Sequence, residues 1–228
     1  SRLTSYSNGS AVVSAAAMLD QIRLGLQGTL YLDGGWASIV DGLAKAARDA
    51  GAELNTGADV ERVIVEGRRT IVLLADGARV EADATILALG PHEAAALTSV
   101  ESLSEAAREA IPVRANTLDL ALSRMPERAH DFALGIDGPF YLSLHSRSAK
   151  LAPEGGAVVH VAKYLAAGEA PERNAIEELE GVADLVMPGW RGLEMRRQEL
   201  RGVAQVAAAI GREFDGSLLS TEIGRAHV

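Results

Sequence analysis

Apolar residues recur along this chain with two different periods, and the change from one to the other marks its elements. In "SAVVSAAAMLDQIRLGL", residues 10–26, Val13, Ala17, Leu19 and Ile22 fall roughly on one side of a helix that Ser10 is placed to cap. Residues 29–32 form a short extended run ending at Asp33-Gly34-Gly35, turn chemistry in which glycine admits a positive φ or a close main-chain approach. From Trp36 to Ala50 the positions Ile39, Val40, Leu43, Ala46 and Ala47 again follow helical spacing, while Lys45, Arg48 and Asp49 occupy the other face. Gly51 ends that helix as a C-terminal cap, and "AEL" starts a strand.

The period then shortens. "DVERVIVEGRRTIVLLADGARVEADATILAL" holds three strand-like runs separated by the "EGRR" and "ADGAR" turns, which predicts a β-meander followed by one strongly apolar, buried strand over Ala84 to Leu89. After Gly90-Pro91 a Glu- and Ala-rich helix, Glu93 to Leu97 and then Ser102 to Ala110, leads to Ile111-Pro112. Beyond it "ANTLDLALSR", "FALGI", "FYLSLHS" and "AVVHVAKYL" point to a sheet, and a charged helix runs from Glu172 to Val186 before "MPGW". There is no internal repeat and no low-complexity tract. The fold class expected is α/β in the broad sense, helices mixed with sheets.

Composition narrows the function classes. The 228 residues are 48% hydrophobic and 23% charged, which is ordinary for a chain that buries a core. A net charge of −9 opposes a polyphosphate backbone, and Arg68-Arg69 and Arg196-Arg197 are too short to form a track, so no nucleic-acid partner is expected. The absence of cysteine excludes disulfides and thiolate chemistry and is compatible with a cytoplasmic setting. No stretch approaches the roughly 20 apolar residues that cross a bilayer, so no transmembrane segment is expected, while peripheral contact with a membrane surface stays open. The opening "SRLTSYSNGS" resembles no signal peptide and reads as a cut start. Ile223 to Val228, read back into codons, matches one frame of a common short-read sequencing adapter, so those six residues are expected to lie outside the natural protein.

The order of "YLDGGWASIVDGLAKAARDAGAELNTGADVERVIVEG" and "VLLADGARVEADATILALGP" resembles the middle of the amine-oxidase and phytoene-desaturase-like superfamily of FAD-dependent oxidoreductases. The downstream "LDLALSRMP", "YLSLHSRSAKLAPEGGAVVHVAKYL" and "MPGWR" resemble the substrate domain of the phytoene-desaturase-like branch. The resemblance covers residues 1 to about 200 and implies a partial Rossmann-like FAD-binding domain interleaved with a mixed-sheet substrate domain. Its divisions would be 1–29 substrate-domain helix and crossover, 30–100 partial FAD-binding domain, 101–200 substrate domain and 201–222 return segment.

The resemblance places the family's backbone contact to adenine at Val60 and its contact near the dinucleotide at Ala88, Gly90 and Pro91. Main-chain N–H and C=O groups can read an adenine edge, and small residues let the chain approach the cofactor. The plain alternative is a strand residue at 60 and a loop at 90–91. Gly34 and Gly35 would serve a sharp re-entry into the cofactor domain with Trp36 packed beside it; a simple strand-to-helix loop is the other reading. Two features of the family are missing. The G-x-G-x-x-G phosphate cradle is absent, since Gly25, Gly28, Gly34 and Gly35 lack that spacing, and so is the C-terminal "GD" segment. The chain alone is therefore expected to hold FAD poorly and to be inactive.

Other residues invite chemistry more weakly. His145 and His160 lie on neighbouring predicted strands and can face one another, as a metal pair lacking a third ligand or as structural histidines; no metal is expected. "HSRS" suggests a Ser-His hydrolase, without a G-x-S-x-G elbow to support it. Asp119, Arg124, Lys163 and Tyr164 are candidates to line a substrate cavity or to face water, and Arg196 and Arg197 read as a solvated face. Because the isoalloxazine accepts the hydride in flavin oxidations, no catalytic residue is assigned. The function expected is a fragment of a desaturase, dehydrogenase or amine oxidase that uses FAD on an apolar or amine small molecule. A redox-neutral flavin-dependent isomerase and a non-catalytic ligand-binding or interaction module are the alternatives. Substrate, electron acceptor and oligomeric state are not determined.

Overall fold

A computed structural model describes residue 8, residues 13–28 and residues 30–206. The capping role of Ser10 and the return and adapter segments beyond 206 fall outside the described residues. In chain order the elements are α1 (Ala15–Leu26), α2 (Trp36–Asp49), β1 (Val60–Glu66), β2 (Arg69–Leu74), β3 (Arg79–Ala82), α3 (Pro91–Leu97) and α4 (Glu101–Glu109). They continue with β4 (Val113–Leu122), β5 (Phe132–Leu134), β6 (Phe140–Ser143), β7 (Ala157–Tyr164), α5 (Ala175–Val186) and β8 (Glu194–Val206).

The meander forms as its turns require. Strands β1, β2 and β3 pair antiparallel in that order, buried through Val63 and Ile71, and α3 lies against β1. The apolar run after it does not become a strand. Ala84–Leu89 is extended but joins no sheet, and Ile86 and Leu89 are exposed. Apolar content signals burial only when a neighbouring strand supplies the ladder, and no described strand lies beside this one. Among the described residues only the Thr85 hydroxyl ties the run back, through Thr70 on β2 at 2.5 Å. "AEL", residues 52–54, is likewise coil.

The second sheet is antiparallel with strand order β5-β6-β7-β4-β8. Alternation sends Leu118, Leu120 and Leu122 of β4 and Val159 and Val161 of β7 to one face, where α5 covers them with Ile176, Leu179 and Ala183. Trp190 closes this core, fully buried, its indole N–H donating to Asp184 at 2.8 Å. The opposite face carries Asp119, His160, Tyr141 and Tyr164, the alternate residues of the same strands.

Strand β8 was not foreseen, because "EMRRQELRGVAQV" shows little apolar alternation. It pairs along the whole of β4, and Arg197 binds Glu194, Glu180 and Glu199 at 2.6–3.1 Å while Arg191 adds bonds to Glu180 and Asp184. Burial alone would push the Glu180 carboxyl up; the hydrogen bonds from Arg197 and Arg191 outweigh it and hold the group below its ordinary range. Glu194 is lowered chiefly by its bond from Arg197. A depressed carboxyl contributes stability that is complete above its unfolded value, 4.5 here, and is lost as pH falls through the folded value. Urea unfolding midpoints should therefore hold steady from neutral pH towards 4.5 and decline below it. Arg197→Met should remove about 1 kcal/mol at neutral pH and flatten that acid limb. An acid limb as steep as that of the wild type would show that the network does not carry it.

Candidate functional site

The face of the five-stranded sheet turned away from α5 gathers the ionisable and aromatic groups. Asp119 and His160 are direct cross-strand partners on β4 and β7, and a hydrogen bond of 2.5 Å joins Oδ1 to the imidazole Nδ1. Both are part-buried, with side chains 35% and 24% exposed. His145, in the 3-10 turn His145–Arg147 that follows β6, stacks on His160 with ring centres 5.9 Å apart and planes within 22°. Burial and the neighbouring His160 push the His145 imidazole below its usual value, and the Asp119 charge offsets this only in part. Tyr141 stands 6.0 Å from His160, and Phe132 meets Tyr141 edge-on at 5.5 Å. Thr117, two residues before Asp119 and so on the same face, is buried with a hydroxyl that has no hydrogen-bond partner.

A second unit of structure reaches this face. Tyr31, just before the Asp33-Gly34-Gly35 turn, lies 5.4 Å from the His145 ring. Two hydrogen bonds clamp that turn to the loop after β6: the Gly34 N–H donates to the Lys150 carbonyl at 2.9 Å, and the Lys150 N–H donates to Asp33 Oδ1 at 2.7 Å. The turn needs its glycines. Gly35 has φ 69° and ψ −163°, a region that side chains essentially never enter, and Gly34 has φ 80°. Trp36, by contrast, is 78% exposed and does not pack beside the turn. A cleft of about 710 Å³ opens here, lined by Asp33, Lys150, Leu151 and Glu154 among others.

The residues singled out for the cofactor lie on the meander unit. Val60 opens β1 opposite Leu74, beside an irregularity in the ladder, and is 38% exposed. Ala88 belongs to the extended, unpaired 84–89 run, whose main-chain N–H and C=O groups meet no hydrogen-bond partner among the described residues. Gly90 and Pro91 start α3, which packs against β1. Small residues and unused main-chain groups are what a close approach to an adenosine requires.

Four further candidates separate in the structure. Asp119 and Tyr164 do lie on the His160 face, Tyr164 buried. Lys163 points the other way and pairs with Glu178 of α5 at 2.7 Å. Arg124 is at the surface near Glu127. Ser146 of "HSRS" accepts a hydrogen bond from the Val158 N–H at 2.8 Å and does not address a histidine. The His145 and His160 rings lie in near-parallel planes, offset with centres 5.9 Å apart, whereas two ligands of one metal converge edge-on.

The family model described as FAD dependent oxidoreductase matches residues 4–225. The chain belongs to this family of FAD-dependent oxidoreductases. A 4,4'-diapolycopen-4-al dehydrogenase from Metabacillus indicus is 42% identical over 60 residues, 26% of this chain and 12% of that protein. Among solved structures, reduced UDP-galactopyranose mutase superposes with a TM-score of 0.63 at 14% identity, over 88% of this chain and 48% of that one. Cyclohexylamine oxidase from Brevibacterium oxydans gives 0.52 at 11% identity, over 74% and 38%. The FAD-dependent fold anticipated from the motif order is thus shared with solved proteins, and the chain spans about half the length of the mutase. No helix among the described residues is long and apolar enough to cross a membrane.

Proposed function

We propose that this chain is a piece of an FAD-dependent dehydrogenase, desaturase or amine oxidase whose substrate is an apolar or amine-bearing small molecule. Residues 30–100 would belong to its FAD-binding domain and 101–200 to its substrate domain, in a cytoplasmic setting. The observation that carries the reading is the clamp between the two parts. The Asp33-Gly34-Gly35 turn is hydrogen-bonded to the loop after β6, which sets Tyr31 against His145 at the edge of the aromatic face. A flavoenzyme needs this juxtaposition, because substrate must lie where one part holds the cofactor and the other walls off water. The dehydrogenase and amine-oxidase relatives agree in direction with an oxidation.

Val60, Ala88, Gly90 and Pro91 would hold the adenosine end through main chain. FAD, when bound, supplies the two-electron acceptor for the oxidation. An NMR titration of the 228-residue chain with ADP tests the assignment. Amide shifts should move at Val60, Ala88 and Gly90 and leave β5 to β7 unmoved. Gly90 has φ −69°, which any residue tolerates, so Gly90→Val should keep the fold and weaken ADP by obstructing close approach. A loss on the order of tenfold, 1.4 kcal/mol, is expected. Shifts scattered away from residues 60 and 84–91, or an indifferent Gly90→Val, would remove this reading.

A further inference from the structure

Strand β8 ends the five-stranded sheet, and among the described residues no strand pairs with its outer edge. Thirteen residues long and exposed from Met195 to Glu199, it carries main-chain N–H and C=O groups that offer a second chain a ladder. Its own pairing with β4 is irregular towards both ends and regular from Arg196, opposite Ala121, to Leu200, opposite Thr117. The middle of that regular stretch is Gln198. Arg197 and Glu199, on either side of it, pair with Leu120 and Leu118 and so lie on the α5 side of the sheet, while Gln198 pairs with Asp119 on the other. Helix α5 packs on β4, β6 and β7, inward of β8.

We propose that β8 pairs antiparallel with β8 of a second copy of this chain, merging the two five-stranded sheets into one about a two-fold axis through Gln198. A two-fold that continues a sheet stands perpendicular to it and keeps each face on its own side, so residues that meet across it must point the same way. The axis therefore passes through a residue and not between two. Through Arg196, Arg197 or Glu199 it would set like charges directly against each other, which is destabilising. Through Leu200 it would run the new ladder into the bulge after that residue, where Gly202 takes φ 62°. Through Gln198 it sets Arg197 of each copy against Glu199 of the other and brings the two Gln198 amides together. Glu199 has capacity for this: within one chain its carboxylate accepts from Arg197 at 3.1 Å, and its side chain is 36% exposed. Ladder bonds hold the copies together, and the charges select the register.

The chain has no cysteine, so a single introduced thiol reports the register. In Gln198→Cys the two thiols face each other across the axis with Cβ atoms about 5 Å apart, and mild oxidation should link two chains. Arg196→Cys and Leu200→Cys should each link poorly alone, because each thiol stands four residues, about 13 Å, along the strand from its symmetry mate. Mixed, those two variants should link to one another. Light scattering on the full chain should give twice the single-chain mass at low salt, with association weakening as salt is raised. Glu199→Lys sets a cation opposite Arg197 and should weaken association about tenfold; Glu199→Gln, which removes the attraction without adding repulsion, should weaken it less. Circular dichroism reports whether each variant folds. A single-chain mass at every concentration, which would assign the edge to another polypeptide or to none, overturns the proposal. So does linkage of Arg196→Cys or Leu200→Cys alone as fast as Gln198→Cys, or an unchanged dimer in Glu199→Lys. ADP binding at residues 60 and 84–91 succeeds or fails separately.

Discussion

Replacing Trp190 by alanine is expected to lower the free energy of unfolding by about 3–5 kcal/mol, a large part of the 5–15 kcal/mol typical of a domain. The indole is fully buried in the cluster where α5 meets β4, β6 and β7, and no small residue can refill that space. Its N–H bond to Asp184 is lost too, and Arg191, 4.7 Å over the ring, loses the surface it stacks on. Trp190→Phe separates these contributions. It keeps most of the ring and should cost the hydrogen bond and a smaller void, about 1–2 kcal/mol. The damage should reach the functional face, because α5 presses on the back of the strands whose register holds Asp119 against His160. Urea unfolding followed by tryptophan-independent circular dichroism measures the first effect, and the ring-nitrogen spectrum of His160 measures the second. A loss under about 1 kcal/mol for Trp190→Ala would mean the core is not organised around this side chain.

The second large effect is expected at the Lys163–Glu178 pair. Lys163 is only 11% exposed and sits on the α5 face of β7, bonded to Glu178 with Glu172 at 3.7 Å. Burial pulls its ammonium down, but the Glu178 hydrogen bond and the nearby carboxylates outweigh this and hold it above the ordinary value. Glu178→Leu strands that charge and should cost about 3 kcal/mol, the low end of the range for a broken buried pair, because Glu172 still compensates in part. Lys163→Met together with Glu178→Leu should restore most of the loss, since two apolar side chains satisfy one another where one charge does not. A raised ammonium contributes stability that is complete below its unfolded value of 10.5 and fades as pH climbs through the folded value. The gap between wild type and Glu178→Leu should accordingly narrow at strongly alkaline pH. Equal losses in the single and double variants would show that the pair is not what stabilises this contact.

These residues also show how far reading along the chain can go. The helix from Trp36, the three-strand meander and strands β4 to β7 all follow from periodicity and turn residues, because those are local properties of a few consecutive side chains. His145, His160, Asp119 and Tyr164 each drew notice by chemical type. Their meeting did not, since it depends on β4 pairing with β7 at one register, and a slip of a single residue would turn Asp119 onto the α5 face. Lys163 faces α5 for the same reason: one pleat position separates the His160 face from the one that α5 covers.

Local pattern, then, dictated the helix from Trp36, the meander and strands β4 to β7, and the motif order was enough to identify the flavin family that the match over residues 4–225 shows. Tertiary structure alone decided that Ala84–Leu89 stays unpaired, that the polar β8 becomes a thirteen-residue sheet edge, and that the Gly34-Gly35 turn is tied to the loop bearing His145. The physical cause is common to all three. A ladder, a clamp or a stacked ring is a bond between distant parts of the chain, and its energy appears only when both partners are present at the right distance.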